Sequence, residues 1–173
     1  MEAITTERLC LRPFTSADLD DLAAILGDPE VMRYSLMTPK SREETKSALD
    51  GILATYEKEG FGLYAVVNKT EGKLIGYCGF VPRRVDGERE IELGCGLAHA
   101  YWGKGLASEA TKACRDYGFG KLGFQRLISI FDPRNMASIR VAEKLGMKFE
   151  KASEFEGSPL HIYGVARPDG KHF

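Results

Sequence analysis

Trp102-Gly103-Lys104-Gly105-Leu106-Ala107-Ser108-Glu109-Ala110 stands between a strand-like run and a helix-like one. Upstream, Glu90 to Leu97 reads as a strand; downstream, Leu106, Ala110, Ala113, Cys114 and Tyr117 recur at helical spacing within Gly103 to Lys121. Glycines at such a junction let the backbone approach a ligand closely. The first N–H groups of the helix have no intrahelical acceptor and can cradle phosphate oxygens. Two common phosphate-binding patterns do not fit. A Walker loop requires Ser or Thr after Gly-Lys, where this chain has Gly105, and its preceding glycine is misplaced. Gly94-Cys95-Gly96-Leu97-Ala98-His99 lacks the third glycine of a dinucleotide fingerprint and runs inside a strand. Taken alone, the stretch reads equally well as two glycines that merely turn a strand into a helix.

A second helix start lies downstream. Asn135-Met136-Ala137-Ser138-Ile139-Arg140-Val141-Ala142-Glu143-Lys144-Leu145-Gly146 follows the short apolar run Leu127 to Phe131. Asn135 has the chemistry of an N-cap, and Gly146 that of a stop. Two helix starts fed by neighbouring strands of one sheet can line a single cleft at the strand ends.

The remaining chain supplies the sheet. Ile4 to Leu11 reads as a strand ended by Pro13, Ser16 opens a helix stopped at Gly27, and Ser41 or its neighbour caps another that ends by Gly60. Leu63 to Val67, Leu74 to Val81 and Glu90 to Leu97 follow as an antiparallel meander, the last two joined at Asp86-Gly87. Phe149 to Phe155 and Leu160 to Ala166, joined through Gly157-Ser158-Pro159, finish the chain as strands. Tight turns in some places and helices in others predict a mixed α/β sheet covered on both faces.

At 173 residues the chain is the size of one domain, which buries about 70% of its unfolded surface without staples. Its 24 Lys+Arg against 25 Asp+Glu remove the electrostatic footprint of a general nucleic-acid binder. No apolar run is long enough to span a membrane, and the first residues lack the apolar core of a signal peptide. Cys10, Cys78, Cys95 and Cys114 are widely spaced and accompanied by only 3 His. This disfavours a metal site or a disulfide framework and makes a reducing cytoplasm the default expectation.

The chain resembles the GNAT superfamily of N-acetyltransferases, in the RimJ/RimL-like branch of ribosomal-protein-alanine acetyltransferases. The resemblance rests on Thr6-Glu7-Arg8-Leu9-Cys10-Leu11-Arg12-Pro13-Phe14, Asp28-Pro29-Glu30-Val31-Met32-Arg33-Tyr34, Glu92-Leu93-Gly94, Tyr101 to Ala110, and the Asn135 helix through Gly146. These blocks keep the family's order and spacing to about residue 150, and the last two strands match in length and pattern. The resemblance implies a single GNAT domain over 1–173, with a mostly antiparallel sheet of about seven strands splayed near its middle. It also implies acetyl-CoA as donor and an amine as acceptor, either a protein N-terminal α-amine or a small molecule. No metal, nucleic acid or membrane is implied, and the chain would be a monomer or homodimer.

By the same resemblance the donor's pyrophosphate rests on the N–H groups of Gly103, Lys104, Gly105, Ala107 and Ser108, with Leu106 between them in the donor-binding stretch. The family's Gln/Arg-x-x-Gly-x-Gly/Ala motif maps onto Trp102 to Ala107, with Trp102 in place of the leading Gln or Arg. Asn135 contacts the pantetheine arm, which pairs with a strand edge exposed where the sheet splays. Glu92 holds the position of the general base, against the reading that Glu88, Glu90 and Glu92 are a solvated strand face. A backbone N–H within Leu93, Gly94 or Cys95 serves the oxyanion. Many members carry a tyrosine seven residues after the Asn as general acid; here that residue is Ala142, and Ser138 is the remaining candidate to hydrogen-bond the sulfur, or simply a second capping residue. Tyr34, Met32 and Phe61 are expected at the acceptor pocket. Arg83-Arg84 reads as a solvated loop, with the donor's 3′-phosphate or an acidic acceptor as alternative partners. The competing function is an acyl-CoA-binding sensor that lacks turnover.

Overall fold

The computed structural model describes residues 1–35 and 38–168; the expected domain limits of 1–173 extend beyond them. Eight strands form one sheet: β1 (Ile4–Thr5), β2 (Leu9–Pro13), β3 (Leu63–Asn68), β4 (Lys73–Val85), β5 (Glu88–Leu97), β6 (Arg126–Phe131), β7 (Lys148–Phe155) and β8 (Ser158–Ala166). Their spatial order is β1-β2-β3-β4-β5-β6-β8-β7. Every neighbouring pair is antiparallel except β5 and β6. The helices are α1 (Leu19–Leu26), α2 (Pro29–Met32), α3 (Arg42–Glu59), α4 (Leu106–Gly120) and α5 (Met136–Lys144).

The two faces of the sheet carry separate apolar layers. Cys78, Phe80, Leu93 and Leu97 pack with Leu106, Ala110 and Cys114 of α4 and with Ile139 and Ala142 of α5. On the opposite face Ala65 and Tyr77 pack with Leu22, Ile25 and Leu26 of α1 and Leu49 of α3. Local chemistry sets the limits of these elements. Ser41 caps α3, accepting from the Glu44 N–H at 3.2 Å while the Glu44 carboxylate accepts from the Ser41 N–H at 2.7 Å, a capping box. Asp86 (φ 52°) and Gly87 (φ 86°) form a two-residue turn with both residues left-handed, the geometry whose twist suits a hairpin.

Three expectations are corrected. The first strand is two strands, because Thr6 turns the chain: its Oγ1 accepts from the Leu9 N–H at 3.0 Å and its N–H donates to Leu9 O at 2.9 Å. This two-residue β1 brings the total to eight strands rather than about seven. Pro13 lies in β2, opposite Tyr64, rather than ending the strand before it. An element that sequence reading did not mark is the short α2, opened by Asp28-Pro29, with Asp28 Oδ1 accepting from the Glu30 N–H at 2.9 Å. Arg83 and Arg84 are in strand β4, not in a loop, since the hairpin continues to the turn itself.

The feature that positions the site is the β5–β6 junction. The two strands run parallel and share one bridge, between Glu92 and Ile128, after which they part. At that vertex the buried Ser129 Oγ donates to the Leu93 carbonyl at 2.7 Å. Replacing Ser129 by Ala leaves that buried carbonyl without its side-chain donor. The expected loss in urea unfolding is about 1–3 kcal/mol, with an unchanged m-value.

Candidate active site

Alternation along β5 decides which backbone groups reach the gap between the strands. In an antiparallel pair, alternate residues turn their N–H and C=O toward the neighbour and the others turn them away. Ala98 N donates to Ile75 O at 2.8 Å, in register with the Gly76–Leu97 pair. Gly96, Gly94 and Glu92 therefore bond to β4, whereas Leu97, Cys95 and Leu93 point away from it. Two contacts agree with this parity. The Leu93 carbonyl takes the Ser129 hydroxyl, and the Leu97 carbonyl takes Trp102 Nε1 at 2.7 Å. Cys95, between them, turns its N–H and C=O into the gap.

The glycine turn closes the open end of this gap. Gly103 (φ 72°) and Gly105 (φ 76°) are both left-handed, a conformation that costs any other residue strain. Around Gly103 nothing lies within 4 Å of where a Cβ would be, so the concave side is open. Gly105 caps α4 without a side-chain bond, and the first helical bond is Glu109 N to Gly105 O at 3.1 Å. The N–H groups of Leu106, Ala107 and Ser108 are thus left for an anion, while the Leu106 side chain is buried in the core.

A polar clamp holds the turn in place. Arg8 donates through Nε to Glu109 at 2.6 Å and through Nη1 to the Lys104 carbonyl at 2.9 Å. Thr6 Oγ1 and the Arg8 N–H also donate to Glu109, at 2.6 and 2.9 Å. Burial pushes the Glu109 carboxyl up, but these hydrogen bonds from Thr6 and Arg8 outweigh it and hold the group below the usual carboxylate range. The clamp is therefore complete at neutral pH and is lost as pH falls through that lowered value. Lys104 Nζ lies 5.2 Å from the centre of the Tyr101 ring, and Trp102, 44% exposed, rests against His99 at 4.7 Å between ring centroids.

Asn135 performs the capping role: its Oδ1 accepts from the Ser138 N–H at 3.2 Å. Its amide Nδ2 remains as a donor. The half-buried Ser138 makes no hydrogen bond through its hydroxyl among the described residues. Ala142 is buried in the core, so α5 presents no phenol at this point.

Glu92 is on the face of the sheet that α1 and α3 cover, at the bridge where β5 meets β6. Its side chain is 13% exposed, and Arg83 Nε donates to Oε2 at 2.5 Å. Glu92 thus belongs neither to a freely solvated strand face nor to an unpartnered base. On the same face Gly94 has nothing within 4 Å of its missing Cβ, and Gly96 lies under the Tyr77 ring, 2.5 Å from where its Cβ would be. Burial first, with Cys95, Glu92 and Cys78 adding, pushes the Tyr77 phenol up to about 12, so it remains a proton donor. The result is a floor without side chains at Gly94, bounded by Glu92 and Arg83 at one end and Tyr77 at the other.

Other expected residues fall elsewhere. Met32 is buried in the layer with α1 and α3, and Phe61 is buried on the opposite face against Phe80 and Phe124. Tyr34 is better placed, 5.9 Å from the Arg134 guanidinium on the loop between β6 and α5. Cys95 contributes backbone, while its thiol packs toward the core near Cys78 and Cys114. His161 packs on Phe149 at 4.9 Å. Sequence reading missed Tyr77 and Ser129. A serine inside Leu127-Ile128-Ser129-Ile130-Phe131 was the available signal for the latter.

A sheet that parts in its middle beside a glycine-rich helix start defines a class of acyl-transfer fold, and comparison with known proteins agrees. Residues 8–148 match the family described as acetyltransferase (GNAT) domain. The chain belongs to that family, which uses acetyl-CoA as donor and transfers its acetyl group to an amine. YkkB of Bacillus subtilis strain 168, an uncharacterized protein, is 34% identical over 161 residues, spanning 92% of this chain and 93% of its own. The acetyltransferase (GNAT family) from Bacillus anthracis superposes with a TM-score of 0.81 at 27% identity, covering 96% of this chain and 99% of that one. RimL, a ribosomal L7/L12 alpha-N-protein acetyltransferase solved in complex with coenzyme A, superposes with a TM-score of 0.78 over 95% of this chain and 98% of its own. At 18% identity that likeness shows the fold alone. No helix among the described residues is long and apolar enough to cross a membrane.

The chain has 1 Trp, and it stands in the glycine turn, so its fluorescence reports on binding there. Titration with CoA is expected to change the emission of Trp102 saturably, with ATP and NADH inert. Glu109→Gln, which removes the charge that Arg8 clamps, is expected to raise the CoA dissociation constant by about fivefold, the upper range of a partly exposed ion pair.

Proposed function

We propose that this protein transfers the acetyl group of acetyl-CoA directly to a primary amine within a ternary complex. The observation that carries this reading is the alignment of three features along one gap: the open turn at Gly103–Ser108, the inward-facing backbone of Cys95, and the Glu92 carboxylate at the vertex. The donor's pyrophosphate would lie on the turn, with Trp102, Gly103, Lys104, Gly105, Leu106, Ala107 and Ser108 supplying backbone. Its amide arm would pair with Cys95 as an added strand while Asn135 Nδ2 donates to it from the other side.

In the reaction the neutral amine nitrogen attacks the thioester carbonyl carbon. A C–N bond forms, the carbonyl electrons move onto oxygen, and the Cys95 N–H donates to that oxyanion. Gly94 is excluded from this role because its N–H bonds to β4, and Leu93 lies at the bridge itself. Glu92 takes the proton that the amine gives up, and Arg83 must yield part of its hold on the carboxylate as this happens. Collapse breaks the C–S bond. The departing thiolate, whose conjugate acid titrates near ~8.5 like other thiols, takes a hydrogen bond from Ser138 Oγ and a proton from solvent.

The resemblance to RimJ/RimL-like enzymes favours a protein N-terminal α-amine as one acceptor class and a small-molecule amine as the other. The competing reading, a domain that binds acyl-CoA without turnover, draws on Ala142 standing where many relatives carry a tyrosine. Glu92→Gln separates the two. An enzyme is expected to lose about 10²–10⁴-fold in kcat, followed by CoA thiol release, and to keep its affinity for CoA by Trp102 fluorescence. A wild-type protein that binds CoA but releases no thiol with any amine would instead be the sensor.

A further inference from the structure

Arg83 and Glu92 form an ion pair across the β4–β5 hairpin. Arg83 lies opposite Glu90, and Val81 opposite Glu92, so Arg83 and Glu92 are diagonal neighbours on one face. The contact uses only Nε of the guanidinium. Among the described residues Nη1 and Nη2 of Arg83 have no partner, and half of the side chain is exposed. The neighbouring arginines are directed at partners other than Glu92. Arg126 forks between Glu90 and Glu150, Arg134 grips Asp132 through Nε and Nη2, Arg89 binds Glu59, and Arg84 donates to the Gly87 carbonyl. Arg83 thus keeps a free, planar Nη edge directly beside the Glu92 carboxylate, the shape that takes a carboxylate through two parallel hydrogen bonds.

That edge cannot serve the donor's phosphates. Glu90, opposite Arg83, precedes Leu97 by seven residues of extended strand, roughly 24 Å, and the glycine turn lies beyond Leu97. Arg83 is instead at the acceptor end, beside the proposed base and the open floor at Gly94. Charge then sorts the acceptors. An amine drawn to Glu92 as a cation meets the positive charge of Arg83 at the same point, and a polyamine meets it with further positive charge. An amine that carries its own carboxylate meets no such conflict: its ammonium pairs with Glu92 and its carboxylate with the Nη edge of Arg83. The exchange also draws Arg83 away from Glu92 and leaves that carboxylate facing the amine it must deprotonate.

We infer that the acceptor is an amine bearing a carboxylate within a few bonds of its nitrogen, and that Arg83 is the residue that selects it. This rests on the acetyl-transfer reading above. A free α-amino acid and a peptide with an acidic first residue present the same chemistry from two sources.

The test is steady-state kinetics of the full chain at saturating acetyl-CoA on matched acceptors. The pairs are leucine against isoamylamine, and aspartyl-alanine amide against asparaginyl-alanine amide, with spermidine as a cationic control. The carboxylate-bearing member of at least one pair is expected to be favoured about tenfold or more in kcat/KM, and spermidine to be the poorest acceptor. Preference in the first pair only identifies amino acids; in the second only, acidic N-termini. Arg83→Gln is expected to raise KM for the favoured acceptor about 10–100-fold, with a much smaller change in kcat, and to erase the preference. Arg83→Lys should restore part of it. Unchanged Trp102 titration with CoA confirms that each variant is folded. Turnover with no preference in either pair, or a preference that survives Arg83→Gln, overturns the inference and leaves the enzyme reading standing. No thiol release with any acceptor removes both.

Discussion

The site depends on one hydrogen-bonding constraint: β5 and β6 are parallel neighbours that pair once and then separate. A parallel pair inside an otherwise antiparallel sheet needs a crossover, and here α4 supplies it. The crossover places a helix start, and therefore unsatisfied N–H groups, at the wide end of the opening. Ser129 Oγ on the Leu93 carbonyl locks the narrow end. Between these points Cys95 has backbone groups that the sheet does not use. A strand edge left unpaired in the middle of a domain is costly unless something pairs with it, which is the physical case for an extended amide-bearing ligand at this place.

The two faces of the sheet then divide the labour. Cys78, Leu93 and Leu97 turn toward α4 and α5 and make the rigid layer that holds the glycine turn. Glu92, Gly94 and Gly96 turn the other way, toward α1 and α3. The glycines of Gly94-Cys95-Gly96 fail as a dinucleotide fingerprint because they serve a different end. Gly96 lets the Tyr77 ring lie across β5, and Gly94 leaves the floor clear next to Glu92. The cysteine between them offers its backbone to one side and its thiol to the core.

Much of this was legible because it is local. The turn at Asp86-Gly87, the caps at Ser41 and Asn135, and the glycines before α4 are read from a few adjacent residues. Some further geometry was implicit. A two-residue turn after Val85 places Arg83 opposite Glu90 and diagonal to Glu92, so reading Arg83-Arg84 as a loop overlooked the register that the turn dictates. What could not be read depends on partners distant in sequence. Thr6 and Arg8 break the first strand in order to reach Glu109, about a hundred positions away. β8 inserts between β6 and β7, which no local pattern announces. Phe61 follows the end of α3 into the opposite layer, where Phe80 and Phe124 receive it edge-on.

The central claim is that Cys95 offers a free strand edge to the donor. Amide hydrogen exchange by NMR, with and without acetyl-CoA, tests it most directly. The account predicts that the Cys95 N–H exchanges quickly in the free protein and slows at least about tenfold in the complex, as a group that gains a hydrogen bond. Gly94 and Gly96, already bonded to β4, should be slow in both states. A Cys95 N–H equally protected with and without donor, or protection appearing at Gly94 and Gly96 instead, would contradict the parity on which the site is built.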